Sequence, residues 1–141
     1  LIIARRIISR KINCYSNSKQ GNVQLSRNFK VSEFSCKDKT DPVFIAPKLV
    51  VLLQSIRDYY GRPLHINSGY RTPQYNKKVD GATYSQHMYG TAADIRIDGI
   101  NPADVAEVAR KFLGNNKGGV GIYSTFTHVD IRETPSNWDY R

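Results

Sequence analysis

The 141-residue sequence is poor in cysteine, tryptophan and methionine, and it lacks a long apolar run. No stretch approaches the roughly 18 consecutive apolar residues that a membrane-spanning helix needs, so we expect no transmembrane segment. The N-terminal apolar runs are short and interrupted by Arg, which does not fit the apolar core of a signal peptide. Hydrophobic residues make up 40% of the chain, and its length suits one globular domain.

Acidic residues are absent from the first 30 positions, which hold seven Lys or Arg. The remaining residues are almost balanced in charge, so the formal net charge of +9 comes mainly from the N-terminus. We therefore predict a basic arm or linker over residues 1–27 and a folded domain over residues 28–141. Such an arm favours polyanions, including anionic wall polymers, although a solubilising tail without a partner is the alternative. The balanced remainder argues against a specific nucleic-acid binder.

The two cysteines are too few to define a disulfide framework. Cys14 lies in the predicted arm and Cys36 at the edge of the predicted domain. A disulfide between them would require an oxidising compartment and an ordered arm. The sequence leaves their redox state open.

Apolar periodicity and capping residues predict a mixture of helices and strands. Two amphipathic helices are expected, over 46–61 with a Gly stop and over 101–113 with Asn101 as N-cap, and Pro73 can open a short one. Four strands are expected over 63–67, 92–97, 118–124 and 126–132. Because no regular strand–helix–strand repeat is present, we predict an α+β fold with a mainly antiparallel sheet.

The segment SQHMYGTAADI, residues 85–95, separates a histidine and an aspartate by a run of small residues. His87 precedes the strand that carries Asp94, and His128 lies in the strand segment THVD. Two imidazoles and one carboxylate are a suitable set for a catalytic zinc site, which keeps its fourth position open. Small residues such as Gly90 allow the chain to bend tightly and to pack close to a metal. The sequence therefore predicts a metal site at these three residues.

The segments SGYRT, SQHMYGTAADI and THVDIR together resemble the zinc D-alanyl-D-alanine carboxypeptidase family of peptidoglycan peptidases. That family includes phage endolysin peptidases and shares its fold with the Hedgehog signalling domain. The resemblance runs from about residue 28 to about residue 133. It implies one zinc ion per chain, held by His87, Asp94 and His128. It also implies that Arg71 binds substrate oxygens and stabilises the oxyanion, a role that suits a planar cation with paired donors.

Further predictions concern the residues that line the cleft around this metal site. Ser85 fills the first position of the family motif, and we expect it to contact substrate together with Arg71 and Tyr70. Tyr89 and Tyr123 are further candidates for lining the cleft, although packing is the simpler role for each of the tyrosines.

The general base is not where the family usually has one. Family members carry Glu or His shortly before the last ligand, whereas this sequence has Thr125 and Phe126 there, and neither can take a proton from water. Asp130 is the nearest substitute in sequence, either as the base or as a group that orients the His128 ring. Glu133 is a weaker candidate.

The resemblance implies zinc-dependent hydrolysis of peptide bonds that involve D-amino acids in peptidoglycan. Whether the chain acts as a carboxypeptidase or a wall-lytic endopeptidase stays open, although short loops favour an open groove. The alternative is a zinc-stabilised binding module of the same fold with little or no turnover. We expect a monomer that binds the peptidoglycan stem peptide at the cell envelope or outside the cell, or a phage-encoded protein acting on the bacterial wall.

Overall fold

The computed structural model describes residues 11–141. Nine short strands are present in this part of the chain: β1 Asn13–Ser16, β2 Gln24–Ser26, β3 Phe29–Lys30, β4 Pro42–Ile45, β5 His65–Ser68, β6 Ala92–Arg96, β7 Gly119–Ile122, β8 Thr127–Asp130 and β9 Ser136–Asp139. Four α-helices accompany them: α1 Asn17–Gln20, α2 Pro47–Tyr60, α3 Pro73–Lys78 and α4 Pro102–Leu113. Two 3₁₀ helices span Val31–Phe34 and Gln86–Tyr89.

Five strands form the main sheet in the order β5-β6-β8-β7-β9. All neighbouring pairs are antiparallel except β7 and β9, which run parallel. Two smaller antiparallel pairs, β1 with β4 and β2 with β3, lie outside this sheet. The predicted α+β class with a mainly antiparallel sheet is confirmed.

The two long helices follow the predicted caps. Pro47 opens α2, and Gly61 ends it in the left-handed region, with φ of 63°. The Asn101 side chain caps α4 by accepting a hydrogen bond from the Ala103 N–H, and Pro102 follows at the first helical position. Both helices bury an apolar stripe in the core.

Strand β6 separates the core from the opposite face of the sheet. Its residues Ala93 and Ile95 are fully buried in the same apolar cluster as the helices. Because successive side chains point to opposite faces of a strand, Asp94 is directed away from the helices. The alternation of this one strand therefore places the candidate site on the face of the sheet opposite the core.

The described part of the predicted arm, residues 11–27, contributes two strands that pair with strands of the predicted domain. Strand β1 pairs with β4 over four residues of each, from Asn13 opposite Ile45 to Ser16 opposite Pro42. Tyr15 and Leu25 pack against the core. Charge counting missed these contacts, because a segment rich in Lys and Arg can still contribute a few apolar anchors. Residues 1–10, which hold most of the predicted arm's apolar and Arg residues, lie outside the described residues.

Deleting residues 1–27 is therefore expected to destabilise the domain. The deletion removes β1 and β2 and exposes core that Tyr15 and Leu25 cover, and burial of two such side chains is worth roughly 2–4 kcal/mol. Thermal unfolding followed by circular dichroism should give a melting temperature lower by several degrees. Deletion of residues 1–10 alone is the control that leaves both strands in place. An unchanged melting temperature after the longer deletion would show that the pairing of β1 contributes nothing.

Two other sequence expectations can be compared with the described residues. Each helix of residues 11–141 is too short or too polar to cross a membrane. Cys14 and Cys36 are both free thiols, the first exposed and the second buried.

Candidate metal centre

The register of the main sheet aligns the candidate ligands across neighbouring strands. Ser68 of β5 lies opposite Asp94 of β6, and Asp94 lies opposite His128 of β8. His128 in turn lies opposite Gly121 of β7, which is paired with Trp138 of β9. One row of residues therefore crosses all five strands, with Asp94 and His128 at its centre.

The third candidate ligand, His87, reaches this row from the 3₁₀ helix before β6. The Ser85 hydroxyl caps that helix by accepting a hydrogen bond from the His87 N–H, at 3.2 Å. Gly90 ends the helix in the left-handed region, with φ of 74°. A Cβ at Gly90 would lie 2.4 Å from the carbonyl oxygen of Phe44, so only glycine fits. The sequence predicts that Gly90 allows close packing against a metal, whereas the close neighbour of Gly90 in the structure is strand β4.

The donor atoms of His87, Asp94 and His128 converge on one point. One donor atom from each residue lies within 4.8 Å of the other two. Asp94 Oδ1 is 3.2 Å from His87 Nε2 and 3.0 Å from His128 Nδ1. All three residues are buried. The spatial convergence predicted from the motif spacing is therefore present.

Hydrogen bonds on the far side of each ring prepare both imidazoles for a metal. His87 Nδ1 lies 2.8 Å from the Gly69 carbonyl oxygen, which only accepts, so this nitrogen carries the proton. His128 Nε2 lies 2.8 Å from Asp130 Oδ2 and donates to that carboxylate. The remaining nitrogens, His87 Nε2 and His128 Nδ1, both face Asp94 Oδ1 and become free to bind a metal when the rings are neutral. Neutral rings with one free nitrogen are what zinc requires.

The electrostatics of Asp94 keep it ionised. Burial by itself raises the pKa of this carboxyl, but hydrogen bonds with His128 and His87 outweigh it and hold the pKa below its usual range. Burial lowers the pKa of His128, whereas its hydrogen bonds to Asp130 and Asp94 raise it, and the net direction is upward. A cation bound between these three residues would take the place of the proton that otherwise lies between an imidazole and the Asp94 carboxylate.

Asp130 is enclosed on every side. It is fully buried, and its two oxygens accept hydrogen bonds from the Arg132 guanidinium at 2.8 and 2.7 Å. The Gly119 N–H donates to the same carboxylate at 3.0 Å, in addition to His128 Nε2. Burial raises its pKa, but the bonds from Arg132 and His128 prevail and lower it. This carboxylate binds a proton weakly.

Arg71 is held rigidly beside the cluster. Its Nη2 is 3.2 Å from Asp94 Oδ2, in a pair whose side chains are only 14% and 10% exposed. Its Nε donates to the Ser68 hydroxyl at 3.1 Å, and its Nη1 donates to the Asn76 side-chain oxygen at 3.2 Å. Each Nη group carries two hydrogens and donates one of them in these bonds. One hydrogen on each Nη group therefore remains available for substrate, on a guanidinium whose orientation is fixed.

These groups meet in an open cleft of about 630 Å³. Its lining includes the three candidate ligands with Arg71, Ser85, Arg132, Asp80, Tyr84, Tyr123, Phe126, Trp138 and Tyr140. A second depression of about 720 Å³ shares Tyr84, Gln86 and Arg132 with the cleft. The two depressions therefore adjoin each other at these three residues.

The sequence profile of the family described as peptidase M15 matches residues 27–130. The chain belongs to the peptidase M15 family. The family assignment made from the motifs is thereby confirmed. A curated relative of this M15 chain, the zinc D-Ala-D-Ala carboxypeptidase of Streptomyces albus G, is 39% identical to it over 80 residues. That alignment covers 55% of this chain and spans only 31% of the relative's length.

Within the M15 domain, two of the three predicted substrate contacts line the cleft. Arg71 and Ser85 both line the cleft, although the Ser85 hydroxyl also caps the helix that carries His87. Tyr70 does not: it is buried, and its ring packs against Phe44 with centroids 5.2 Å apart. The Tyr70 N–H is bonded to the Phe34 carbonyl, which fixes this segment against the core.

The other sequence candidates are distributed over both depressions. Tyr123 lines the cleft with the ligands, whereas Tyr89 and Glu133 line the neighbouring depression. Asp80 and Trp138 line the cleft and were not anticipated. Asp80 lies in a polar turn without a motif. Trp138 is the only tryptophan of the chain, which was the one available signal.

Proposed function

We propose that this chain is a zinc metallopeptidase that hydrolyses peptide bonds involving D-amino acids in peptidoglycan. The observation that carries the proposal is the convergence of His87, Asp94 and His128, in which one nitrogen of each ring faces the Asp94 carboxylate. The relative named as a zinc D-Ala-D-Ala carboxypeptidase supports the metal and the substrate class. We also propose that this chain shares its fold with the Hedgehog signalling domain and that it binds a single zinc ion.

The donor set fits zinc. Two imidazole nitrogens and one carboxylate oxygen are the ligand types of catalytic zinc sites, and the cleft leaves the convergence point open on one side. A bound zinc ion supplies Lewis acidity, which polarises the scissile carbonyl and makes water more acidic. The chain's own contribution is to hold the three donors in place and to orient the substrate around them.

Arg71 stabilises the negative charge that develops on the carbonyl oxygen. Its three hydrogen-bond partners fix the guanidinium before substrate arrives, and its two remaining N–H groups are free to bind an oxygen atom. Donors arranged in advance cost no reorganisation during the reaction, which is why they lower the barrier strongly.

Asp130 orients His128, and Asp80 accepts the proton from water. Asp130 is fully buried and paired with Arg132, so it has neither access to water nor the basicity that the role requires. Among the described residues that line the cleft, Asp80 is the carboxylate other than Asp94. It is exposed in a turn beside the cleft, where water can reach it.

Conservative amide substitutions distinguish these two roles. Asp130→Asn removes the charge that offsets Arg132 beside His128, so we expect zinc affinity to fall about tenfold to a hundredfold, with activity restored by added zinc. Asp80→Asn should keep zinc affinity and lower kcat with a changed pH profile. Zinc competition with a chromogenic chelator and pH–rate profiles measure both effects. An Asp80→Asn protein with an unchanged pH profile would remove Asp80 from the mechanism.

The substrate groove suits an endopeptidase. A carboxypeptidase needs a closed pocket for a terminal carboxylate, whereas here the cleft adjoins a second depression and shares Tyr84, Gln86 and Arg132 with it. A stem peptide can therefore extend on both sides of the bond to be cut. Cleavage within the stem or the cross-bridge would make the protein lytic, acting at the bacterial wall.

Digestion of purified peptidoglycan tests the function. The zinc-loaded protein should release muropeptides with new internal termini, identified by mass spectrometry. Free D-alanine as the sole product would replace the endopeptidase by a carboxypeptidase. The absence of any new terminus, with His87→Ala as the matched blank, would contradict peptidase activity.

A zinc-stabilised binding module is the second candidate, because Thr125 and Phe126 stand where family members carry a base. Under this reading, zinc-loaded protein would sediment with insoluble peptidoglycan and release no fragments. Basic residues near the N-terminus would add salt-sensitive attraction to anionic wall polymers.

A further inference from the structure

The last strand of the chain places an aromatic ring against a candidate zinc ligand. Trp138 of β9 is paired in register with Gly121 of β7, which is itself paired with His128 of β8. The indole and the His128 imidazole have centroids 5.0 Å apart and are tilted by 44°. Trp138 thus reaches across one whole strand to contact the imidazole.

Glycine at position 121 is what permits this contact. A Cβ on Gly121 would lie 2.3 Å from two atoms of the indole, Cε2 and Nε1. Carbon atoms do not approach that closely, so any side chain at this position would displace the tryptophan. Strand β7 therefore leaves a gap between His128 and Trp138 that the indole fills.

Contacts on its other sides hold the indole in place. Its Nε1–H donates to the Tyr123 hydroxyl at 3.0 Å. The Arg132 guanidinium lies over the indole at 5.5 Å from the ring centroid. Arg132 also pairs with Asp130, which accepts from His128 Nε2. Each of four side chains therefore contacts the next, and the last contacts the first: Trp138, Arg132, Asp130 and His128.

The orientation of the His128 ring matters because its two edges are not equivalent. A half-turn about χ2 exchanges Nδ1 with a ring carbon, and this torsion has broad, roughly two-fold preferences. A flipped ring would present carbon to Asp94 and could not bind metal. The bond to Asp130 and the wall formed by Trp138 both oppose the flip.

We infer that Trp138 is a positioning residue that fixes the His128 imidazole in its metal-binding orientation, so that β9 is part of the zinc site. This inference rests on the proposed zinc function. The family profile ends at residue 130, and the contribution of β9 lies beyond it.

Zinc affinity of purified variants, measured by competition with a chelator, tests the inference. Trp138→Ala should weaken zinc binding about tenfold to a hundredfold, the range for groups that orient a ligand, and Trp138→Phe should recover most of the loss by keeping an aromatic face. Gly121→Ala should weaken binding in the same direction while retaining the tryptophan. Val120→Ala, a buried change in the same strand, is the control that should lower the melting temperature and leave the affinity unchanged.

A spectroscopic readout separates positioning from general destabilisation. Long-range ¹H–¹⁵N correlation spectra of the zinc-loaded protein should show His128 protonated at Nε2, and Trp138→Ala should add a second set of His128 signals. Wild-type zinc affinity and a single set of signals in Trp138→Ala would overturn the inference and leave the zinc function intact. Equal affinity losses in Val120→Ala and Trp138→Ala would also overturn it. A wild-type protein that binds no zinc would overturn both proposals.

Discussion

Replacing His87 with alanine is expected to abolish zinc binding and, with it, hydrolysis of peptidoglycan. The substitution leaves Asp94 and His128, and two protein ligands do not make a catalytic zinc site. Metal analysis after gel filtration should give close to one zinc per chain for the wild type and close to none for His87→Ala. The melting temperature of the variant should no longer respond to a chelator, whereas that of the wild type should fall.

The chain supplies its own control for this experiment. His65 lies on β5, its side chain is 42% exposed, and its ion-pair partner is Asp98. His65→Ala removes one histidine outside the cluster and should keep both zinc and activity. Full zinc occupancy in His87→Ala would make the assignment of the ligands wrong.

Replacing Arg71 with alanine is expected to lower kcat/KM by about a hundredfold or more, the scale of losing one oxyanion donor. The protein should stay folded and should still take up zinc when the metal is saturating, because Arg71 contacts Asp94 only through Oδ2. Steady-state kinetics on a defined stem peptide, together with metal analysis, measures both quantities. Arg71→Lys should recover little activity, since an ammonium lacks the planar fork that Ser68, Asn76 and Asp94 hold.

Arg96 provides the matched arginine. It lies on β6 two residues from Asp94, but its side chain is exposed and pairs with Asp98. Arg96→Ala should therefore leave kcat/KM unchanged. Wild-type turnover in Arg71→Ala would exclude the oxyanion role, and the function of Arg71 would then be to hold Asp94 in place.

The sequence predicts the central elements well and the peripheral strands poorly. Helix α4 and strand β6 carry their own signals, namely an N-cap followed by proline in one and strict alternation in the other. Strands β1 and β9 carry none, because Asn13–Ser16 and Ser136–Asp139 are short and show no clear apolar alternation. Their pairing depends on distant partners, which local propensity does not encode.

The residues of the candidate site also differ in whether the sequence alone could predict them. The spacing between His87 and Asp94 is local, so the motif indicates both candidate ligands directly. The role that we propose for Asp130 rests on the structure, since only its burial and its pairing with Arg132 favour an orienting carboxylate over a base. Trp138 could not be predicted from spacing, because it reaches His128 through a parallel pairing of β9 with β7.

The position of Trp138 also gives the protein a built-in optical probe. The chain contains one tryptophan, and its ring lies 5.0 Å from the imidazole of His128. All tryptophan fluorescence therefore originates beside the candidate ligand cluster, without interference from any other indole. Occupancy of the site, or a change in the His128 ring, can be followed in the unlabelled protein by the intensity and wavelength of that single emission.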